Sequence, residues 1–330
     1  MHERQLFFRT VNPGSFRGEK SAQSEKVGYI AADGSGAGYL DFGACGPPGQ
    51  TGWWPGPVLA DGRRIQVSSI EEGMCHAETT RLSLWLYDLD SGRLEAIAEK
   101  DRRAPYMTFV GILPGEERII VAYSAGGENR HVLMDWDGGN QRELPLPQDG
   151  YSYCLRPSPD GSRVVFHTSS KRGGYRISVM ALDGSGLVEI AGDPAHLFFG
   201  PSWSPDGEWI AYLDCLHQQD PEHHQAEVWI SRPDGSESRQ LTQGQPFWLS
   251  AVYGGPATKG GGSNLTQWSP DGKTLTFIRL LPGSQTAWPL KKVIEEDDHF
   301  NRDYVPTRAR GGAELCLLDP HRGEIGRAHV

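Results

Sequence analysis

The chain has 330 residues, of which 37% are hydrophobic and 22% charged, ample for a buried core. Its net charge of −10 and the lack of a Lys/Arg cluster disfavour nucleic acid or an anionic membrane as partner, and no apolar run reaches the roughly 18 residues of a membrane span. Forty-two Gly and 23 Pro with ten Trp suit a turn-rich all-β protein, and Gly without a period of three excludes collagen.

In chain order, residues 1–26 are polar and poorly patterned apart from Leu6–Thr10. The opening MHERQLFFRT lacks the apolar core of a secretory signal, so the chain as written reads as cytoplasmic; a periplasmic location follows if the natural N-terminus lies upstream. VGYIAADGSGAGYLDF (Val27–Phe42) reads as strand, Asp-Gly turn and strand. A Gly/Pro-rich loop, Gly43–Gly56, separates it from a series of repeats.

Each repeat opens with a hairpin. The copies are GPVLADGRRIQVS (Gly56–Ser68), GILPGEERIIVAY (Gly111–Tyr123), RPSPDGSRVVFHT (Arg156–Thr168), WSPDGEWIAYL (Trp203–Leu213) and QWSPDGKTLTFI (Gln267–Ile278). In the turn of the fourth, Pro205 presets φ, Asp206 can cap with its carboxylate and Gly207 accepts positive φ. Asp-Gly between β-prone runs is a strong hairpin signal. A second strand–turn–strand follows in four units: Leu84–Ala98, His131–Leu144, Arg176–Ala191 and Glu227–Thr242. The units run from Gly56 to Glu99, Tyr106 to Pro147, Tyr151 to Gly192 and Leu197 to Gly244. A fifth starts near Gly262, with Glu314–Asp319 as its third strand. A period of roughly 40–50 residues with four strands per unit is that of a propeller blade. Strands such as Arg163–His167 are nearly continuously apolar, as blades packed on both faces require. Leu290–Asp298 (LKKVIEEDD) is the one helical candidate.

The SPDG hairpin followed by V-W-I-S-x-x-D-G-S-x-x-x-Q-L-T resembles the TolB-type β-propeller repeat, over about residues 28–323. That resemblance implies an all-β propeller of four-stranded blades, six with seven left open. It also implies a shared blade in which the N-terminal strands meet inner strands from the C-terminus. The same repeat builds the propellers of prolyl-oligopeptidase-like peptidases and of oligogalacturonate lyases. The terminal IGRAHV (Ile325–Val330) does not continue the repeat. Residues 324–330 are therefore set aside as a non-native tail, with 1–26 as an N-terminal segment and 27–323 as an incomplete propeller whose last blade lacks its fourth strand.

If the SPDG turns share one face, all long insertions fall on the other: 43–56, 71–81 with His76, 214–226, 244–262 and 282–312. Function usually sits where insertions gather on a rigid scaffold. His217, Asp220, Glu222, His223 and His224 form the richest cluster, either a metal or acid/base site or a solvated polar loop. Asp297, Asp298, His299, Asn301, Arg302 and Asp303 form a second, either paired acids or an Arg–Asp network. Trp53, Trp54, Trp248, Tyr253 and Trp288 could stack on a ligand or pack the rim. His167 ends an apolar strand, in the core or facing the central funnel. The five cysteines are odd in number and form no CxxC, so Cys154 and Cys215 read as small buried hydrophobes. No phosphate loop and no GxSxG elbow occurs.

The resemblance leaves three functions. The first, taken here, is a TolB-like scaffold that binds a protein or oligosaccharide through the loop-rich face; it needs no cofactor. The second is a lyase acting by β-elimination on an acidic oligosaccharide. The lyase resemblance implies a His base after a blade's second strand, near which Asp214 or His217 falls. It also implies a divalent metal held mainly by His, where Leu265 stands at one ligand position. The third is the propeller of a serine peptidase.

Overall fold

A computed structural model of the chain describes residues 5–9, 27–31, 36, 38–40, 42, 50–59, 63–71, 82–98, 107–113, 115, 117–125, 128–136, 138–170, 175–216, 226–244, 266–269, 271–284, 307, 310–311, 313–323 and 325–327. Three strands open the fold: β1 (Gln5–Arg9), β2 (Val27–Ala31) and β3 (Gly38–Leu40), paired antiparallel in that order. Five four-stranded antiparallel blades follow among the described residues, the third and fourth joined by a parallel bridge between Tyr175 and Leu197. Blade one is β4 (Gln50–Val58), β5 (Arg64–Glu71), β6 (Leu82–Asp88) and β7 (Leu94–Ala98). Blade two is β8 (Met107–Ile112), β9 (Arg118–Ala125), β10 (Glu128–Asp135) and β11 (Arg142–Glu143). Blade three is β12 (Gly150–Pro157), β13 (Arg163–Ser170), β14 (Tyr175–Ala181) and β15 (Val188–Gly192). Blade four is β16 (His196–Trp203), β17 (Ile210–Leu216), β18 (Ala226–Ser231) and β19 (Ser238–Gln240). Blade five is β20 (Gln267–Trp268), β21 (Leu275–Leu280), β22 (Ala313–Leu318) and β23 (Ile325–Arg327). The architecture is an all-β propeller. No helix among the described residues is long and apolar enough to cross a membrane.

The chain divides into two compact units at Pro145/Leu146, with blades one and two in the first and blades three to five in the second. In each unit the core lies between consecutive blades. In the first, Leu84, Leu86 and Ile97 of blade one meet Ile119, Val121, Val132 and Met134 of blade two. In the second, Val165, Ile177 and Val179 of blade three meet Ile210 and Tyr212 of blade four, and Leu213, Val228 and Ile230 of blade four meet Leu275, Phe277 and Cys316 of blade five. A blade strand buries both faces, which explains the unbroken apolar runs.

The SPDG turns are built alike. Ser158, Ser204 and Ser269 each donate the hydroxyl to the Asp two residues on, Asp160, Asp206 and Asp271, at 2.5, 2.5 and 2.6 Å. Each Ser hydroxyl also accepts the backbone N–H five residues on, from Arg163, Trp209 and Thr274. Each Asp takes a second bond from the N–H of Ser162, Glu208 or Lys273. The Ser158 hydroxyl and the Ser162 N–H hold the Asp160 carboxyl down at about 2.

Consecutive turns in the second unit seat on one another. The Trp203 indole donates to the Arg156 carbonyl of blade three at 2.9 Å, and the Trp268 indole to the Ser202 carbonyl of blade four at 3.2 Å. Gly207 faces the Pro159 ring, where a β-carbon would lie in ordinary contact 3.7 Å from Cδ, and Gly272 faces Pro205 likewise at 3.6 Å. The Arg163 guanidinium covers the Trp203 ring, 5.1 Å from its centroid.

Three sequence expectations need correction. Blade one starts at Gln50, so the segment read as loop to Gly56 is mostly strand β4, whose irregular register accommodates its Gly and Pro. Residues 5–9, which overlap the one patterned stretch of the N-terminal segment, form strand β1 paired with β2. Blade five has a fourth strand, since Ile325–Arg327 pairs with Leu318–Cys316; a ladder this short uses backbone groups and is indifferent to the side chains. Cys154 is only part-buried, with φ of 50° in the left-handed region, at the bulge where the β12 register shifts between Tyr153 and Arg156. Leu290–Asp298 lies outside the described residues.

Blade four has Gly200 (φ 65°) at the corresponding bulge, between Phe199 and Ser202. Glycine adopts this conformation freely, while a β-carbon strains it. Cys154→Gly is therefore expected to raise stability and Gly200→Ala to lower it, each by about 1 kcal/mol in urea unfolding. The opposite signs would show that the two bulges are not equivalent.

Candidate functional site

A blade hairpin has two ends. The SPDG end is closed, because the turn's own hydroxyls and N–H groups occupy its carboxylate. At the other end begin the long connections, between Leu216 and Ala226 in blade four and between Leu280 and Ala313 in blade five.

The register of β16 against β17 sets His196 opposite Leu216 and Phe198 opposite Asp214, which puts the His196, Phe198 and Asp214 side chains on one face. His196 and Asp214 are diagonal neighbours, within reach of each other. The imidazole Nδ1 and the Asp214 Oδ1 are 2.5 Å apart, with the side chains 30% and 12% exposed. The Phe198 ring lies parallel to the imidazole at 5.5 Å, and Tyr212 meets Phe198 edge-on at 6.1 Å. Burial pushes the Asp214 carboxyl up; the hydrogen bond and charge of His196 oppose this, and the Asp193 charge adds to it. Such a pair fixes the imidazole's orientation and tautomer, leaves Nε2 for another partner and can carry a proton.

The same step of the repeat is polar in the neighbouring blades. Asp214 faces Glu227, Thr168 faces Arg176, and Arg279 faces Glu314 across their second and third strands. Arg279 and Glu314 form an ion pair at 2.5 Å. Arg176 pairs with Asp149 and, at 3.7 Å, with Glu189. Glu227 is structural: one oxygen accepts the Thr242 hydroxyl at 2.6 Å and the other the Gly244 N–H at 2.5 Å. These bonds fasten the end of blade four to the start of β18.

Of the residues chosen on sequence, Asp214 lies at this end, paired with His196. His167 is 8% exposed inside β13, which continues to Ser170; its ring stacks on Tyr175 at 5.6 Å, and burial pushes it down to about 3. It is therefore a neutral core imidazole. Trp53 is corrected: it is a β4 residue, 2% exposed and stacked on Phe42 at 4.8 Å, so its ring is closed to a ligand. Trp54 is in the same strand. His76, His217, His223, His224, Trp248, Tyr253, Trp288, His299 and Arg302 lie outside the described residues. Among the described residues no three His, Cys, Asp or Glu gather as a metal-binding group.

His196 was missed on sequence. It stands one residue before Leu197, where the fourth unit was taken to begin, and its own polar neighbours are few. A hairpin register counted back from the Ser204–Trp209 turn would have found it.

No family model matches the sequence. A TolB homologue of Chlorobium luteolum is 28% identical over 268 residues, 78% of this chain and 53% of that protein. The chain spans about half the length of the curated relatives it matches. TolB from Acinetobacter baumannii superposes with a TM-score of 0.62 at 14% identity, over 98% of this chain and 63% of that one. An oligogalacturonate lyase from Vibrio parahaemolyticus superposes with a TM-score of 0.54 at 12% identity, over 98% and 74%. At these identities the structural likeness is one of fold.

Buried imidazoles make the fold acid-sensitive. Burial holds His167 near 3 and, in blade two, His131 near 4, both from an ordinary value of 6.5. The unfolded chain takes up protons below about 6.5 that the folded one refuses, so stability is full above that pH and falls progressively below it. The urea midpoint is expected to drop between about pH 7 and about pH 5, and to drop less in His167→Phe, which keeps the stack on Tyr175. An equal drop in the variant would mean that His167 does not resist protonation.

Proposed function

We propose that this chain, a TolB-like β-propeller, is a binding scaffold whose recognition surface is the end of blades three to five opposite their SPDG turns. The observation that carries this reading is the part-buried His196–Asp214 pair, flanked at the same repeat step by Arg176 and by Arg279–Glu314. The scaffold is constant from blade to blade, while the polar groups at this step differ in charge and shape. That is what a surface selected for a specific partner requires. The opposite end offers a partner only turns that satisfy themselves. We take the partner to be a protein, in keeping with the TolB likeness. We also take the propeller to be six-bladed, with the three-stranded sheet β1–β3 as the sixth unit. The lyase reading rests on fold likeness alone, and release of unsaturated product from an oligogalacturonide would replace binding by catalysis.

Two exposed side chains mark the two ends. Tyr151, at the start of β12, is 45% exposed at the proposed surface; Leu187, in the turn between β14 and β15, is 52% exposed at the SPDG end. A photo-crosslinking residue placed at 151 is expected to capture a defined partner in cells, and one at 187 to capture none. Capture at 187 alone would move the surface to the other end.

A further inference from the structure

Asp214 has a second suitor. In blade one the Trp85 indole donates to the Ser69 hydroxyl at 2.9 Å. There Trp85 faces Val67 across the ladder, and Ser69 is its diagonal neighbour, facing Ser83. In blade four Trp229 faces Tyr212, and its diagonal neighbour, facing Glu227, is Asp214. Trp229 thus stands where Trp85 stands, and Asp214 where Ser69 stands. Yet the Trp229 Nε1 is buried with no hydrogen-bond partner among the described residues, while the Asp214 carboxylate is held by His196.

The two donors differ in what they lose when left alone. A buried indole N–H cannot turn to water, so leaving it unpaired is costly. The His196 side chain is 30% exposed, so water can replace much of what it gives up. Charge decides between them. An imidazolium binds the carboxylate as an ion as well as a donor; a neutral imidazole binds it as a donor only.

We propose that Asp214 is a two-position latch, bound to His196 while that imidazole is charged and to the Trp229 indole when it is neutral. The groups around it are anionic on two sides: Asp193 in the turn before β16, and Glu227 opposite Asp214 on β18. Arg176 is the second residue of β14 on the adjoining blade, next to Tyr175, which bridges to Leu197. Glu227 is tied by Thr242 and Gly244, and Arg176 by Asp149, so neither competes for Asp214. In the charged state the latch joins the start of β16 to the end of β17; in the neutral state it joins β17 to β18 and frees the His196 ring. This rests on the reading of that blade end as the recognition surface and gives it a pH dependence.

The test is the indole 1H–15N spectrum of the whole chain, with the Trp229 signal assigned by its loss in Trp229→Phe. Between about pH 5 and about pH 8.5, the span over which imidazoles in general change charge, the signal should move downfield. Its hydrogen exchange, corrected for the intrinsic effect of pH, should become about tenfold slower. In His196→Ala the signal should sit at its high-pH position throughout. A Trp229 signal that does not move, or one that still moves in His196→Ala, overturns the latch. No partner is needed for this measurement, so its failure leaves the crosslinking result at Tyr151 untouched.

Discussion

Consecutive blades of the second unit depend on one repeated contact: an indole N–H reaching back to a carbonyl on the preceding inner strand. Trp203 bonds Arg156 and Trp268 bonds Ser202, and Arg156 and Ser202 hold the same place in their repeats. Beside each bond the proline of one SPDG turn seats on the glycine of the next. Apolar burial between blades is large but does not by itself fix how far one blade slides along another. A directional bond to a single carbonyl does, and beside it the glycine of each turn, at φ 72° in Gly207 and 69° in Gly272, lies in van der Waals contact with the proline of the turn before. Blade three has Pro157 where the next two blades have tryptophan, so the clamp acts forward from it.

Fixing the hairpins at the turn end also fixes their far ends. The inner strand bulges at Cys154 in blade three and Gly200 in blade four, then carries Gly150 and His196 to the opposite mouth. The repeat therefore presents a comparable position in every blade, to be filled with different chemistry: Thr168 and Arg176, Asp214 and Glu227, Arg279 and Glu314. One scaffold rule gives rigid placement, while the side chains at this one step differ in charge from blade to blade.

The blades were legible because their signal is local. Asp-Gly turns between β-prone runs mark each hairpin, and the spacing of roughly 40–50 residues names the architecture. The boundaries were less legible where turn residues occur inside a strand: Pro55 and Gly56 made β4 look like loop, and Trp53 with it like a rim aromatic. The candidate site was half legible. Asp214 was singled out with His217 because both fall near the base position that the lyase resemblance implies, but its partner was not, because pairing across a hairpin depends on register rather than on density of charge. Charge density pointed instead to 217–224. His167 misled for a related reason: a histidine at the end of an apolar run can face either way, and the stack on Tyr175 that decides it joins two strands.

The clamp is most directly tested by hydrogen exchange at the Trp203 and Trp268 indoles. If these bonds hold the blades in register, both indole hydrogens exchange only with global unfolding, at the rate of the slowest core amides and with the same urea dependence. Exchange by local opening, insensitive to low urea, would show that the blades are held by apolar burial alone, and that the indole bonds follow from the register rather than set it.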